Sequence, residues 1–380
     1  MIALRSPVTS RALAASGHAL VADNERWPVV DGIPFLRVDR RALADAALAA
    51  LDAGDRDEAL VLLLGDQDGW AKTPPPDEAA RRRLVRERAA LSFRDAMALL
   101  AFGPVATYFA HRWSDPTFLS GLALATAHWH APDRVLELAC GAGHFLRAFT
   151  GFAPQVMGGD LVFAKLWLAR HYVSPEAALV CFDAAAPWPF VDGSADLVFC
   201  HDAFYFLPDK PHVAAEMLRV AGGGRVLVGH AHNAAVDNLS AGAPLDPAGY
   251  AALFGTPVLY DDRELTQAVI EARMPRPATA DTLATAPAIA LAAGAASRDV
   301  PRPAAGGFVV PQAGAALRRN PLYGETGEIA WPSDRYAHEY GPLATYPART
   351  DAPPMARAGC DAAIDAMARR RVLLDLPERW

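Results

Sequence analysis

The sequence predicts an α/β fold built on a mostly parallel sheet, and two observations carry that expectation. The stretch Val135–Phe145, VLELACGAGHF, is an apolar run that enters a small-residue loop with Gly141 and Gly143 and leaves as an amphipathic segment. A strand, a tight glycine turn and a helix start form a nucleotide-binding corner, because a residue without Cβ lets a ligand approach the backbone. Further apolar runs, each paired with a helical pattern or a turn, follow at QVMGGDLVFAKLWLAR, ALVCFD, DLVFCHDAFYF and AEMLRVAGGGRVLVGH. One detail separates this corner from an ordinary pyrophosphate site. Glu137 sits inside the first strand, where a carboxylate would repel pyrophosphate and attract a cationic ligand.

VLELACGAGHF resembles motif I of the class I methyltransferases that use S-adenosylmethionine (SAM), and the next hundred residues are similar to their small-molecule "type 11" branch. The motif's acid is Glu137, and its three small positions are Ala139, Gly141 and Gly143, with alanine in place of the first glycine. Asp160 ends the second strand, 23 residues after Glu137, where the resemblance implies a carboxylate that accepts hydrogen bonds from both ribose hydroxyls. It is expected to serve the ligand and leave the core untouched. Asp183, followed by small Ala184, stands where the family bonds the adenine amino group. DGSADLVFCHDAFYFLPD is similar to the fourth strand, whose polar pair closes over the ligand. Gly222, Gly223 and Gly224 make the turn before the fifth. The resemblance thus implies a Rossmann-like methyltransferase fold with strand order 3-2-1-4-5 plus an antiparallel addition. It implies SAM as cofactor, with Glu137, Ala139, Cys140, Gly141, Gly143, Asp160, Leu161, Asp183, Ala184 and His201 around it.

Length and composition bound the rest. The chain has 380 residues, 52% hydrophobic and 21% charged, with net charge −7. That is too long for one compact core. Apolar stretches are broken by charge, so no membrane span is expected, and residues 1–22 carry no apolar segment of the secretory kind. Mild acidity argues against a nucleic-acid partner. The expected setting is cytoplasmic, with a small-molecule substrate. Cys140, Cys181, Cys200 and Cys360 show no C-x-x-C pairing, so neither a disulfide framework nor a metal site is expected.

The elements divide as residues 1–39, 40–115, 116–235 and 236–380. In the first, LRSPVTSRAL and WPVVDGIPFLR resemble the short zinc ribbon of methyltransferase activator subunits. Ser6 and Thr9 replace its first cysteine pair and the second pair is missing, so zinc is expected to be absent. Asp31-Gly32 should turn a hairpin that buries Ile33, Phe35 and Leu36. Residues 40–64 read as two alanine-rich helices around Gly54, with Asp55 or Asp57 as cap. Gly65–Asp77, with three consecutive prolines, reads as a loop, and Glu78–Phe109 is helical with a break at Gly103-Pro104. In the family, the segment before motif I folds over the methionine end of the cofactor. Arg112 could meet a carboxylate there, and Tyr108 could line the substrate pocket.

Candidate proton acceptors are His201, with Asp202 and Tyr205 beside it, and His230 and His232 after the fifth strand. Asp202 alone does not make an oxygen-rich magnesium site. Beyond residue 235 the expectations are a helix and a further element over Asp246–Glu271, late strands that could include Gly306–Pro311, an irregular tyrosine-rich segment over Asn320–Pro347, and a last helix over Asp361–Leu374. The extension should pack back on the body to bury its aromatics. Two alternatives remain open: a catalytically silent adaptor on this fold, and a nucleotide-binding oxidoreductase, disfavoured by Leu146 at the third glycine position and by Glu137.

Overall fold

A computed structural model describes residues 2–67, 74–238, 242–294 and 308–380. Its centre is a seven-stranded sheet. The parallel strands are β5 (Arg134–Leu138), β6 (Gln155–Asp160), β7 (Ala178–Cys181), β8 (Leu197–His201) and β9 (Arg225–His232). Their spatial order, β7-β6-β5-β8-β9, is the expected 3-2-1-4-5. Two antiparallel strands complete it: β11 (Ala288–Ala293) pairs with β9, and β10 (Val258–Asp261) pairs with β11. Nearly continuous apolar runs such as LVFC and RVLV suit strands covered on both faces. Helices α6 (Pro116–Ala127), α7 (His144–Thr150), α8 (Phe163–Leu168), α9 (Lys210–Ala221), α10 (Pro247–Leu253) and α11 (Asp262–Ile270) surround the sheet.

The N-terminal segment is a meander of β1 (Ala14–Ser16), β2 (Ala19–Ala22), β3 (Glu25–Val30) and β4 (Ile33–Pro34). Asp31-Gly32 makes the last turn, and Ile33, Phe35 and Leu36 are fully buried. At the cysteine-like position, the Ser6 hydroxyl accepts from the amides of Val8 (3.0 Å) and Thr9 (3.1 Å) and donates to Glu25 Oε2 (2.5 Å). Those hydrogen bonds organise the knuckle. Glu25 also takes the indole N–H of Trp27. The meander closes the free edge of the large sheet: Phe35 bridges Cys181 in parallel register, and Leu4 bridges Phe190. An uncovered strand edge is an aggregation template, and this contact removes it.

Between ribbon and sheet lie α1 (Arg41–Asp52), α2 (Arg56–Leu63), α3 (Glu78–Glu87), α4 (Phe93–Leu99) and α5 (Pro104–His111). Asp55 caps α2, and Gly103-Pro104 starts α5 as the punctuation predicted. The arginine-rich face of α3 is paired: Arg82 with Glu58 and Glu78, Arg83 with Glu87.

The C-terminal extension holds β12 (Ala316–Arg319), α12 (Asp334–Tyr340), β13 (Met355–Arg357), α13 (Ala362–Arg369) and β14 (Leu373–Leu374), with β13-β12-β14 as a small sheet. Two expectations are corrected here. The described part of Gly306–Pro311 is bends, its phenylalanine (Phe308) packing on Trp129 and Phe149, and the last helix stops at Arg369 before β14. The tyrosines do turn inward. Tyr336 Oη lies 3.0 Å from Asp115 Oδ1, which fastens the extension to the start of α6.

Candidate active site

The turn after β5 is unusual in its backbone. Ala139, Gly141 and Gly143 all have positive φ, at 54°, 54° and 83°. For Gly141 and Gly143 this costs little, and a side chain would also collide. A Cβ on Gly143 would lie 2.9 Å from that of Ala169, and one on Gly141 would lie 3.2 Å from the Phe109 ring. Ala139 holds the same left-handed conformation with a Cβ, a strained arrangement for an L-residue. Glu137 is buried at the strand end, and its Oε2 has no hydrogen-bond partner. Burial pushes its carboxyl well above the ordinary range, against the pull of the Arg112 guanidinium. Cys140 is buried and its thiol is likewise pushed up, which leaves it inert.

Asp160 does more than the sequence suggested. Its Oδ2 accepts the Gly141 amide at 2.9 Å and its Oδ1 accepts the Val162 amide at 2.9 Å. The carboxylate therefore ties the end of β6 to the glycine turn, and the expectation that it leaves the core untouched is corrected. Each oxygen keeps a lone pair for a further donor. Leu161 follows half-buried, its carbonyl 3.3 Å from the Arg37 guanidinium. Asp183 is half-exposed and accepts the Ala185 amide, while Ala184 beside it is buried.

The candidate proton acceptors separate. His201 sits in the packed layer between β8 and α6, parallel to the Phe199 ring and against Phe145, with neither ring nitrogen hydrogen-bonded. Burial lowers its pKa to about 3. By contrast, Asp202, Tyr205, His230 and His232 come together. Tyr108 and Tyr205 donate their hydroxyls to the two oxygens of Asp202, at 2.8 and 3.0 Å. The His232 ring stacks on Tyr205, centroids 4.1 Å apart, and its Nε2 lies 3.3 Å from Nε2 of His230. A β-bulge aims these rings. The β9–β11 register shifts at Gly229-His230, and His230 takes φ 47°.

Residues not anticipated from sequence complete the cluster. Asp262, the first residue of α11, accepts Nδ1–H of His230 at 2.9 Å and the Ser120 hydroxyl at 2.8 Å. Despite burial, Asp262 and Asp202 raise His230 to about 9. Arg112 joins this cluster. It bonds Thr117, lies 3.3 Å from Asp115 and 3.4 Å from Asp202, and sits over the Tyr108 ring. Asp262 reads in sequence as a helix-start acid in YDDREL. Only the sheet's antiparallel addition brings it under β9.

A family model described as a methyltransferase domain matches residues 136–228. Residues 136–228 are a class I SAM-dependent methyltransferase domain. The chain is 37% identical over 111 residues to the demethylmenaquinone methyltransferase of Deinococcus radiodurans, a match covering 28% of this chain and 46% of that protein. It is 30% identical over 127 residues to the ubiquinone biosynthesis O-methyltransferase of Thiobacillus denitrificans, covering 29% and 53%. A SAM-bound amino pentose methyltransferase from Micromonospora echinaspora is similar at 27% identity and TM-score 0.27, covering 33% and 55%. The chain thus spans about half the length of the curated relatives it matches. The Glu137–Gly143 turn and Asp202 lie within residues 136–228, and the His230–Asp202 cluster stands at the carboxyl ends of β8 and β9. No helix among the described residues is long and apolar enough to cross a membrane.

Proposed function

We propose that the chain transfers a methyl group from SAM to an oxygen, nitrogen or carbon nucleophile of a small molecule or glycan precursor. The observation that carries this reading is Glu137 Oε2, a buried acceptor without a partner at the glycine turn of a methyltransferase domain. Such an atom is costly unless a donor or cation meets it. A ligand bearing an ammonium and a sulfonium supplies what it lacks, so the residues present fit SAM. When bound, SAM supplies an electrophilic methyl on sulfur.

The chain's own residues hold and orient. Glu137 offers its orphan oxygen to the ligand's positive end. Asp160 offers its remaining lone pairs to ribose hydroxyls, and Asp183 offers a half-exposed oxygen to the adenine amine. The buried Phe109 ring packs against Gly141. The acceptor enters from the side of Asp202, His230 and His232, whose polar atoms suit a polar nucleophile, and His232, which burial keeps neutral, can take up its proton. Alignment supplies most of the rate. Small-molecule acceptors are supported by two of the relatives, a demethylmenaquinone methyltransferase and a ubiquinone biosynthesis O-methyltransferase.

Calorimetry with SAM, S-adenosylhomocysteine and NAD tests the cofactor. SAM and its product are expected to bind with micromolar affinity and NAD not at all. The reverse pattern would overturn the proposal. Binding of SAM without turnover on any small-molecule extract would instead favour the silent adaptor.

A further inference from the structure

We propose that Asp202, His230 and His232 form a binding site for one divalent transition-metal ion of the zinc–iron class, at the acceptor side of the methyltransferase domain. One carboxylate oxygen and one nitrogen from each imidazole all lie within 4.8 Å of one another. The two Nε2 atoms are 3.3 Å apart. Metal–imidazole bonds of about 2.1 Å in tetrahedral geometry set neighbouring ligand atoms about 3.4 Å apart, so this pair already has the spacing of two ligands.

The surroundings are those of a supported ligand set. A ligating histidine commonly gives its other ring N–H to a carboxylate, which fixes the tautomer and the ring plane. Asp262 does this for His230 through Nδ1, and Ser120 holds Asp262 in turn. The His232 ring is fixed by its stack on Tyr205, interplanar angle 11°. Two phenols orient Asp202 and leave its oxygens further lone pairs. Arg112, 3.4 Å from Asp202 Oδ2, opposes the ion, and the carboxylates of Asp202 and Asp262 favour it.

Ligand type selects the ion. Two imidazoles with one carboxylate suit zinc, iron, cobalt or nickel, whereas magnesium prefers all-oxygen shells and retained water. Three protein ligands leave coordination room for an oxygen of a bound acceptor. If the methyl-transfer reading holds, the acceptor is then a metal-coordinating hydroxyl compound. That last step rests on the proposed function, but the metal site does not.

The test uses the 380-residue chain, stripped with chelator and titrated with Zn²⁺ by calorimetry and with Co²⁺ by visible absorption, in the absence of SAM. One equivalent is expected to bind with a dissociation constant of about 10 µM or tighter. Magnesium is expected to give no comparable signal. His230→Ala and His232→Ala should each weaken binding about 10- to 100-fold, while exposed His338→Ala leaves it unchanged. X-ray absorption on the zinc-loaded parent protein needs no variant, and it should show two imidazoles and light oxygen donors. No saturable binding would overturn the proposal, as would binding that both histidine variants leave intact, or a zinc shell containing sulfur. Because SAM is absent throughout, failure here leaves the methyl-transfer reading standing, and failure to bind SAM leaves the metal site standing.

Discussion

Asp262 Oδ2 lies 2.9 Å from Nδ1 of His230, and this contact joins the antiparallel addition to the fifth parallel strand inside the candidate site. It makes α11 part of the site and not merely of the scaffold. Asp262 is buried, His230 is half-buried, and Asp262 also satisfies Ser120.

Asp262→Ala is therefore expected to do two things. It should cost about 1–3 kcal/mol of unfolding free energy, because the His230 N–H and the Ser120 hydroxyl lose their acceptor. It should also cut turnover, since the His230 ring loses the bond that sets its orientation. Denaturant unfolding and a methyl-transfer assay check these separately. A variant as stable as the parent would mean that the pair is open to water in solution.

The ribbon gives a second expectation. Leu36 donates its amide to the Cys181 carbonyl at 2.7 Å, which caps the outer edge of β7. Leu36→Pro removes that donor and leaves an edge carbonyl exposed. The variant should self-associate at concentrations where the parent does not, as read by light scattering. A monodisperse variant of parental stability would show that side-chain packing alone holds the ribbon.

Much of this architecture was legible in the chain. The order of the five parallel strands is the one that the resemblance implied, and the apolar runs that meet acids and glycines marked where each strand ends. The Asp31-Gly32 turn and the burial of Ile33, Phe35 and Leu36 were legible too, whereas the hydrogen bonds by which Ser6 organises its turn were not. What stayed hidden was register. His230 and His232 are two apart in any strand, but the bulge at Gly229-His230 turns them toward each other, and a one-residue irregularity leaves no periodic trace. Asp262 and Ser120 are 142 residues apart and meet only through tertiary packing. Asp115 and Tyr336 were unreadable for the same reason. The partners of Arg112, Asp202 above all, come from a distant strand and left no local trace.

Ala139 offers a direct check on the motif I turn. It holds φ 54° where related motifs carry glycine. The left-handed conformation costs an L-residue about 1–2 kcal/mol, and glycine recovers this less its larger unfolded-state entropy. Ala139→Gly should be neutral or stabilising by up to about 1 kcal/mol in thermal unfolding. A clear loss of stability would mean that the Ala139 methyl packs better than its backbone strain costs.

His128 gives the pH dependence. It ends α6 fully buried, with Nε2 2.9 Å from the Tyr260 hydroxyl, and burial holds its pKa near 4. The unfolded value is near 6.5, so the unfolded chain takes up a proton first as pH falls. This residue's contribution is thus complete above about pH 6.5 and is lost on the way down to about 4. Other buried groups titrate in the same range, so the measurement is a difference. The stability of the parent relative to His128→Gln should fall by up to about 1.4 kcal/mol per pH unit in that window. A flat difference would mean that the imidazole stays solvated in the folded state.

Asp160 carries the sharpest prediction, because it has two duties. Its oxygens accept the amides of Gly141 and Val162, and its spare lone pairs are the ones proposed for the ribose. Hydrogen bonds to a charged group contribute about 1.5–3 kcal/mol each. Asp160→Ala should therefore weaken SAM binding about tenfold to a few hundredfold in calorimetry. It should also lower the stability of the ligand-free protein by about 1–3 kcal/mol for each amide left without an acceptor in the buried turn. Asp160→Asn separates the duties. Its amide oxygen can keep one backbone bond while its NH₂ faces a donor, so stability should partly recover and SAM affinity should not. If affinity stayed within about twofold of the parent in both variants, Asp160 would be a turn residue only, and the ribose would have to be held from elsewhere. If affinity fell while ligand-free stability held, the two backbone bonds would be too weak to matter, and the turn would be fixed by the packing of Gly143 against Ala169.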